Sequence, residues 1–214
     1  MSTTRMSPKN VSSDREFSRD DVEILGEETV YDGFFKMKEL RLRHKLFAGG
    51  WSRELSRELY LRDNAVGVLL YDRDNDLIGL VEQFRIGALD EEAGPWCLEV
   101  VAGIIDSDET PEQVAVREVR EEANLCADRL DYICQYLSSP GGSNERLHLF
   151  CGYCDLSRAG GLHGLVSEGE DIKVHVLPAE EVFSDLYSGR FNNAATMIAL
   201  QWLQWRRQQW QGKQ

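Results

Sequence analysis

The 214-residue sequence has no apolar run approaching the ~18 residues that a membrane-spanning helix needs. Its first residues also lack the apolar core of a signal peptide, so a cytoplasmic location is expected. Basic charge is scarce: 24 Lys and Arg stand against 37 Asp and Glu, a net charge of −13. That balance argues against a nucleic-acid backbone or an anionic membrane as partner, since both select basic patches. An anionic ligand must then be drawn in by local cations, not by the overall field. The five cysteines are odd in number and lack tandem metal-site spacing, as expected of reduced thiols. Cys151 and Cys154 resemble a redox or zinc pair, but they lie in a strand-like alternation over residues 146–156. Positions three apart on a strand face opposite ways. No internal repeat is visible.

A chain of this length buries one core, or one core plus a small extra layer. Residues 1–18 are polar and charged with almost no apolar content, the composition of a disordered tail. Residues 19–62 read as a small antiparallel layer, with strands over Val22 to Leu25, Phe34 to Leu42 and Ser52 to Leu61. This layer either packs on its own core or is exchanged with a partner chain. Residues 63–214 form the main domain. Ala65 to Tyr71 and Leu77 to Arg85 make a buried hairpin around the acidic turn Asp72 to Asp76, and Trp96 to Ala102 is one further strand. Later strands are predicted at Leu130 to Leu137, Arg146 to Leu156 and Asp171 to Leu177, and helices at Pro178 to Ser188 and Asn193 to about Trp210. The last helix shows an apolar stripe of Met197, Ile198, Leu200, Trp202, Leu203 and Trp205, read as packing rather than base stacking. The order describes an α+β fold whose helices cover a mixed sheet.

The most informative stretch runs from Gly103 to Leu125. Thr110 is a natural N-cap, Pro111 suits the first helical position and Gln113 completes a capping box, so a helix is predicted over Pro111 to Asn124. Glu118, Glu121 and Glu122 then cluster on one side, while Ala115, Val116, Val119 and Ala123 form an apolar flank. Like charges at this spacing repel, and Arg117 offsets only part of it. A hard divalent cation offsets it fully, and Mg²⁺ is usually held by one or two carboxylates together with substrate phosphates. Glu118 and Glu122, one turn apart, are the natural ligand pair, with Glu121 filling in. Gly103 lets the backbone approach, so that the Ala102 carbonyl can add a hard oxygen. Arg117 orients a glutamate. An arbitrary acidic run of this kind would be read as a solvated helix face.

Here the run has fixed company: Gly103, Glu109, Arg117-Glu118, Glu121 and Glu122. This resembles the Nudix hydrolase signature Gly-x5-Glu-x7-Arg-Glu-U-x-Glu-Glu-x-Gly-U, with U apolar, departing only where Asn124 replaces the second glycine. Asn is the best stand-in for Gly in a left-handed helix cap. Glu82 to Arg85, Val101 to Gly103, Ser139 to Gly142, Gly161 to Gly164, Glu168 to Asp171 and Asn192 to Ala195 extend the resemblance to the bacterial ADP-ribose pyrophosphatase subfamily, over most of the chain from about residue 22.

The resemblance implies an α/β/α sandwich and Mg²⁺-dependent cleavage of ADP-ribose to AMP and ribose 5-phosphate, with Mn²⁺ able to stand in. It also implies a homodimer whose N-terminal strands are exchanged. It assigns Glu168 as general base and Glu170 as a further metal ligand. The glycine-rich loop over residues 158–170 that carries them suits closure over a substrate. Phe34, Arg57, Arg85 and Glu145 match positions used for adenine stacking, phosphate contact and the terminal ribose. Each has an ordinary alternative as core, strand-edge charge or turn residue. Three rival readings remain: another nucleoside diphosphate sugar as substrate, a histidine base at His163, and a non-catalytic ADP-ribose sensor. Sensors usually lose the signature glutamates, which this chain keeps.

Overall fold

The computed structural model describes residues 16–106, 108–165, 167 and 169–211. Most of the predicted tail, residues 1–15, therefore lies outside the described residues. The chain divides into two compact units that meet in sequence between Leu61 and Arg62.

In the first unit, β1 (Val22–Asp32), β2 (Lys36–His44) and β3 (Leu55–Leu61) form an antiparallel sheet in that order. Ser18, placed in the tail by composition, caps a 3-10 turn at Arg19–Asp21, and the ring of Phe17 sits 4.9 Å from that of Phe47. β1 is far longer than predicted because bulges at Leu25 and Val30 let it follow β2 through its full length. None of the residues in these strands is buried, and Ile24, Leu25, Val30 and Tyr31 are exposed.

The second unit is a mixed sheet covered on both faces. Its strands are β4 (Ala65–Asp72), β5 (Leu77–Phe84), β6 (Trp96–Glu99), β7 (Val101–Ile104), β8 (Arg129–Leu137), β9 (Arg146–Tyr153), β10 (Gly161–His163) and β11 (Ile172–Pro178). The order is β10-β11-β5-β4-β9-β8, with β4 and β9 parallel and the other pairs antiparallel. Alternation along β4 divides the core. Leu69 and Tyr71 join Leu80, Val182, Leu200 and Leu203 under α2 (Ala179–Ser184) and α3 (Ala194–Gln211). Val66, Val68 and Leu70 join Val114, Ala115, Val119 and Ala123 of α1 (Pro111–Ala123). Cys151 belongs to the first core and Cys154 to the second, and all five cysteines are free thiols.

The predicted hairpin is present, and Asp72 locks its turn. Its carboxylate accepts from the N–H groups of Asp74, Asn75 and Leu156 and from the Asn75 amide. Burial works to raise its pKa, but these hydrogen bonds outweigh it and hold the group below its ordinary value.

The strand predicted from Trp96 to Ala102 is broken. β4 and β5 pair only at Leu70–Asp72 with Leu77–Gly79 and then splay, so the following segment fills the wedge, β6 on β5 and β7 on β4. Val100 sits at the switch, where its N–H donates to Thr196 Oγ1 of α3 (3.0 Å). Asn193 caps that helix through Thr196 N and donates to the Leu98 carbonyl, which ties the Asn-Asn-Ala-Ala stretch to the break. Three smaller expectations also fail. α2 ends at Ser184 instead of running to Ser188; Gly161–His163, read as loop, adds an edge strand; and Trp205 is exposed instead of packed.

α1 has the predicted ends. The Thr110 side chain accepts from Gln113 N while Gln113 accepts from Thr110 N, and Asn124 adopts φ 51°, ψ 38° as the left-handed cap. Asn124→Gly should therefore leave thermal unfolding within a few tenths of a kcal/mol of wild type. Asn124→Val should cost about 1–3 kcal/mol, measurable by urea denaturation, because a β-branched side chain resists positive φ. Val116, counted in the apolar flank, is 49% exposed, and Val114 takes its place in the core.

Candidate active site

α1 lies against β7 so that its buried face carries two carboxylates among the apolar residues: Glu118 at 9% exposure and Glu122 at 2%. Ala102 N donates to Glu122 Oε2 (3.0 Å), and Gln83 Nε2 of β5 approaches Oε1 (3.5 Å). Glu118 lies directly over Gly103, where a Cβ would overlap its carboxylate. That glycine is required for the space it leaves, since its backbone is not in the left-handed region.

Arg117 organises the outer rim. Its guanidinium makes a two-pronged bond to Glu109 (3.1 and 3.0 Å) and also donates to Glu118 (2.7 Å) and Glu121 (2.9 Å). Hydrogen bonding to Glu109 is the chief reason its pKa rises above the ordinary arginine value. Glu121 is less buried than Glu118 and Glu122 and faces this rim.

Burial pushes the Glu118 carboxyl up to about 7, although Arg117 opposes the shift. Burial pushes Glu122 up to about 8, although the Ala102 N–H opposes it and nearby Glu118 and Glu170 add to it. Folding therefore keeps both groups protonated to higher pH than they would be in the unfolded chain. This contribution to stability is fully present below the unfolded value of about 4.5 and is lost as pH rises through 7 to 8. In EDTA, the unfolding midpoint should accordingly fall between pH 5 and pH 8.5, and Glu122→Gln should flatten that fall. A metal-free midpoint that rises over this interval would contradict the burial argument.

Among the remaining predicted residues, Glu170 stands near enough to act electrostatically on both buried carboxylates, and its Oε2 accepts from Leu165 N (2.9 Å). Arg85 acts on Glu122 from the end of β5 and donates to Glu99 (2.7 Å). Glu145 pairs with Arg62 at 3.1 Å. Phe34 and Arg57 belong to the first unit: Phe34 is 90% exposed and meets Phe35 edge to face, and Arg57 donates to the Ser56 carbonyl. Glu168 lies outside the described residues. His163 bonds the Gly160 carbonyl within its own hairpin (2.9 Å). Gln83 and Glu99 were not foreseen. The one available signal was a glutamine closing an apolar strand. A shallow cavity lined by Glu82, Trp96, Leu162, Asp171 and Lys173 involves the opposite face of β5 from Gln83.

Among the described residues, no three acidic, histidine or cysteine side chains converge as a closed metal cage. The arrangement still suits a hard divalent ion. Mg²⁺ keeps several waters and takes one or two protein carboxylates, and here two buried carboxylates, without a full complement of cations, sit beside space that a Cβ would fill. A divalent ion held there would present positive charge to an anionic ligand.

Comparison with known proteins identifies the family and agrees with this fold. The NUDIX domain profile matches residues 61–200, and the chain belongs to the Nudix family. It is 45% identical over 199 residues to the ADP-ribose pyrophosphatase of Haemophilus influenzae, covering 92% of both chains. It is 31% identical over 187 residues to the GDP-mannose pyrophosphatase of Cronobacter sakazakii, covering 86% of this chain and 96% of that one. A crystal structure of an ADP compounds hydrolase shares the fold at TM-score 0.68 and 22% identity, covering 90% of this chain and 98% of the other.

Proposed function

We propose that this protein hydrolyses the diphosphate of ADP-ribose to AMP and ribose 5-phosphate, using Mg²⁺ or Mn²⁺ in its place, as a cytoplasmic homodimer. The observation that carries the reading is the 45% identity to an ADP-ribose pyrophosphatase across 92% of both chains. All of the signature glutamates are retained as well. A sensor would have no need of them.

Glu118, Glu122, Glu170 and the Ala102 carbonyl would hold the metal. When bound, it neutralises charge on the diphosphate oxygens and makes water more acidic. Arg117 holds Glu118 and Glu121 in place through its bond to Glu109. Glu168 takes the proton from the attacking water, and Arg85 meets a phosphate. Phe34 stacks on the adenine, Arg57 contacts a phosphate and Glu145 binds the terminal ribose. The absence of a buried residue in the three N-terminal strands supports a dimer that covers them, since a small sheet needs an apolar face packed against something.

Purified protein should turn over ADP-ribose with a higher kcat/KM than ADP-glucose, GDP-mannose, NADH or coenzyme A. The 31% identity to a GDP-mannose pyrophosphatase makes another nucleoside diphosphate sugar the second reading. A preference for GDP-mannose or ADP-glucose would establish it.

A further inference from the structure

The α1-facing row of β5 is Gly79, Val81 and Gln83, and Val81 is part of the apolar core. An apolar side chain at position 83 would continue that row. A buried carboxamide there costs free energy unless it is hydrogen-bonded. Gln83 is only 7% exposed, and the partner it reaches is the carboxylate of Glu122. Among the described residues it is the only side chain that hydrogen-bonds Glu122, whose other donor is the Ala102 backbone. The two donors come from opposite arms of the splayed sheet, Gln83 on the β5 arm and Ala102 on the β7 arm.

We propose that Gln83 is a positioning residue for the divalent ion: its carboxamide and the Ala102 N–H orient the two oxygens of Glu122 from the two arms of the splayed sheet. This rests on the reading of Glu122 as a metal ligand. With one donor beside each oxygen, at 3.0 Å from Oε2 and 3.5 Å from Oε1, rotation of the carboxylate about its terminal bond is restrained and its remaining lone pairs favour one direction. Without Gln83, a nearly fully buried carboxylate is held at one oxygen only. Groups that orient a metal ligand in this way typically change metal affinity by about 10- to 100-fold.

The test is Mn²⁺ binding to metal-stripped full-length protein, read from the EPR signal of free Mn²⁺, together with the Mg²⁺ concentration for half-maximal hydrolysis. Gln83→Met keeps the length and removes the donor. It should weaken Mn²⁺ binding about tenfold and raise the half-saturating Mg²⁺ by a similar factor. The KM for ADP-ribose at saturating Mg²⁺ should stay within about twofold, a split that general loosening of the core would not give. Gln83→Leu is the second donor-free variant should the methionine protein fail to fold in EDTA, and Gln83→Asn should recover part of the affinity. A folded Gln83→Met or Gln83→Leu protein that binds Mn²⁺ as tightly as wild type overturns the proposal. If Glu122→Gln also binds Mn²⁺ like wild type, the metal assignment itself fails, which separates the two outcomes.

Discussion

Glu122→Gln should lower turnover of ADP-ribose by about three orders of magnitude or more, while the protein stays folded and, in EDTA above pH 8, becomes more stable than wild type. Both effects have one cause. Glu122 is 2% exposed and its pKa is pushed up to about 8, so its ionised form is held at a cost in the metal-free protein. A neutral amide of the same shape removes that cost, on the order of a few kcal/mol, because each pKa unit corresponds to ~1.4 kcal/mol. On the proposed reading Glu122 is a metal ligand, so the same change weakens the hold on ions that would supply several kcal/mol of charge stabilisation in the transition state, and each ~1.4 kcal/mol is tenfold in rate. Steady-state kinetics at saturating Mg²⁺, with urea denaturation in EDTA, would check both halves. A variant that is inactive and also unfolded would give Glu122 a structural role instead.

Gly103→Ala should be nearly as damaging for a different reason. The backbone there is one that alanine adopts readily, so the fold should hold with a thermal shift of a few degrees at most. The added methyl overlaps the Glu118 carboxylate, which must swing out of its place. Hydrolysis should fall by about 100-fold or more, because misplacing a reacting geometry by about 1 Å has that effect. Gly67 serves as contrast. A Cβ there meets the side chains of Leu149 and Val100, so Gly67→Ala should lower stability through overpacking.

Local chemistry made much of this legible from sequence. Thr110, Pro111, Gln113 and Asn124 each act within a few residues of themselves, and α1 has the ends they predict. Two apolar runs, residues 65–71 and 77–85, on either side of an acidic turn made the hairpin legible whose strands divide the two cores. The larger failures are non-local. The break at Val100 follows from the splay of β4 and β5 and is satisfied by Thr196, 96 residues away. The meeting of Gln83 and Glu122 spans 39 residues. Sequence spacing placed Glu118, Glu121 and Glu122 together, but burial separates them: the core takes the first and third and leaves Glu121 on the rim with Arg117. Periodicity cannot report that distinction, because it depends on how deeply α1 seats against β7.

The most direct measurement is anomalous scattering from Mn²⁺ in crystals grown with a non-hydrolysable ADP-ribose analogue. The expected result is one or more peaks at coordination distance from carboxylate oxygens of both Glu118 and Glu122, adjoining the diphosphate. Peaks elsewhere on the protein, with those two side chains bound to no ion while the analogue is in place, would contradict it.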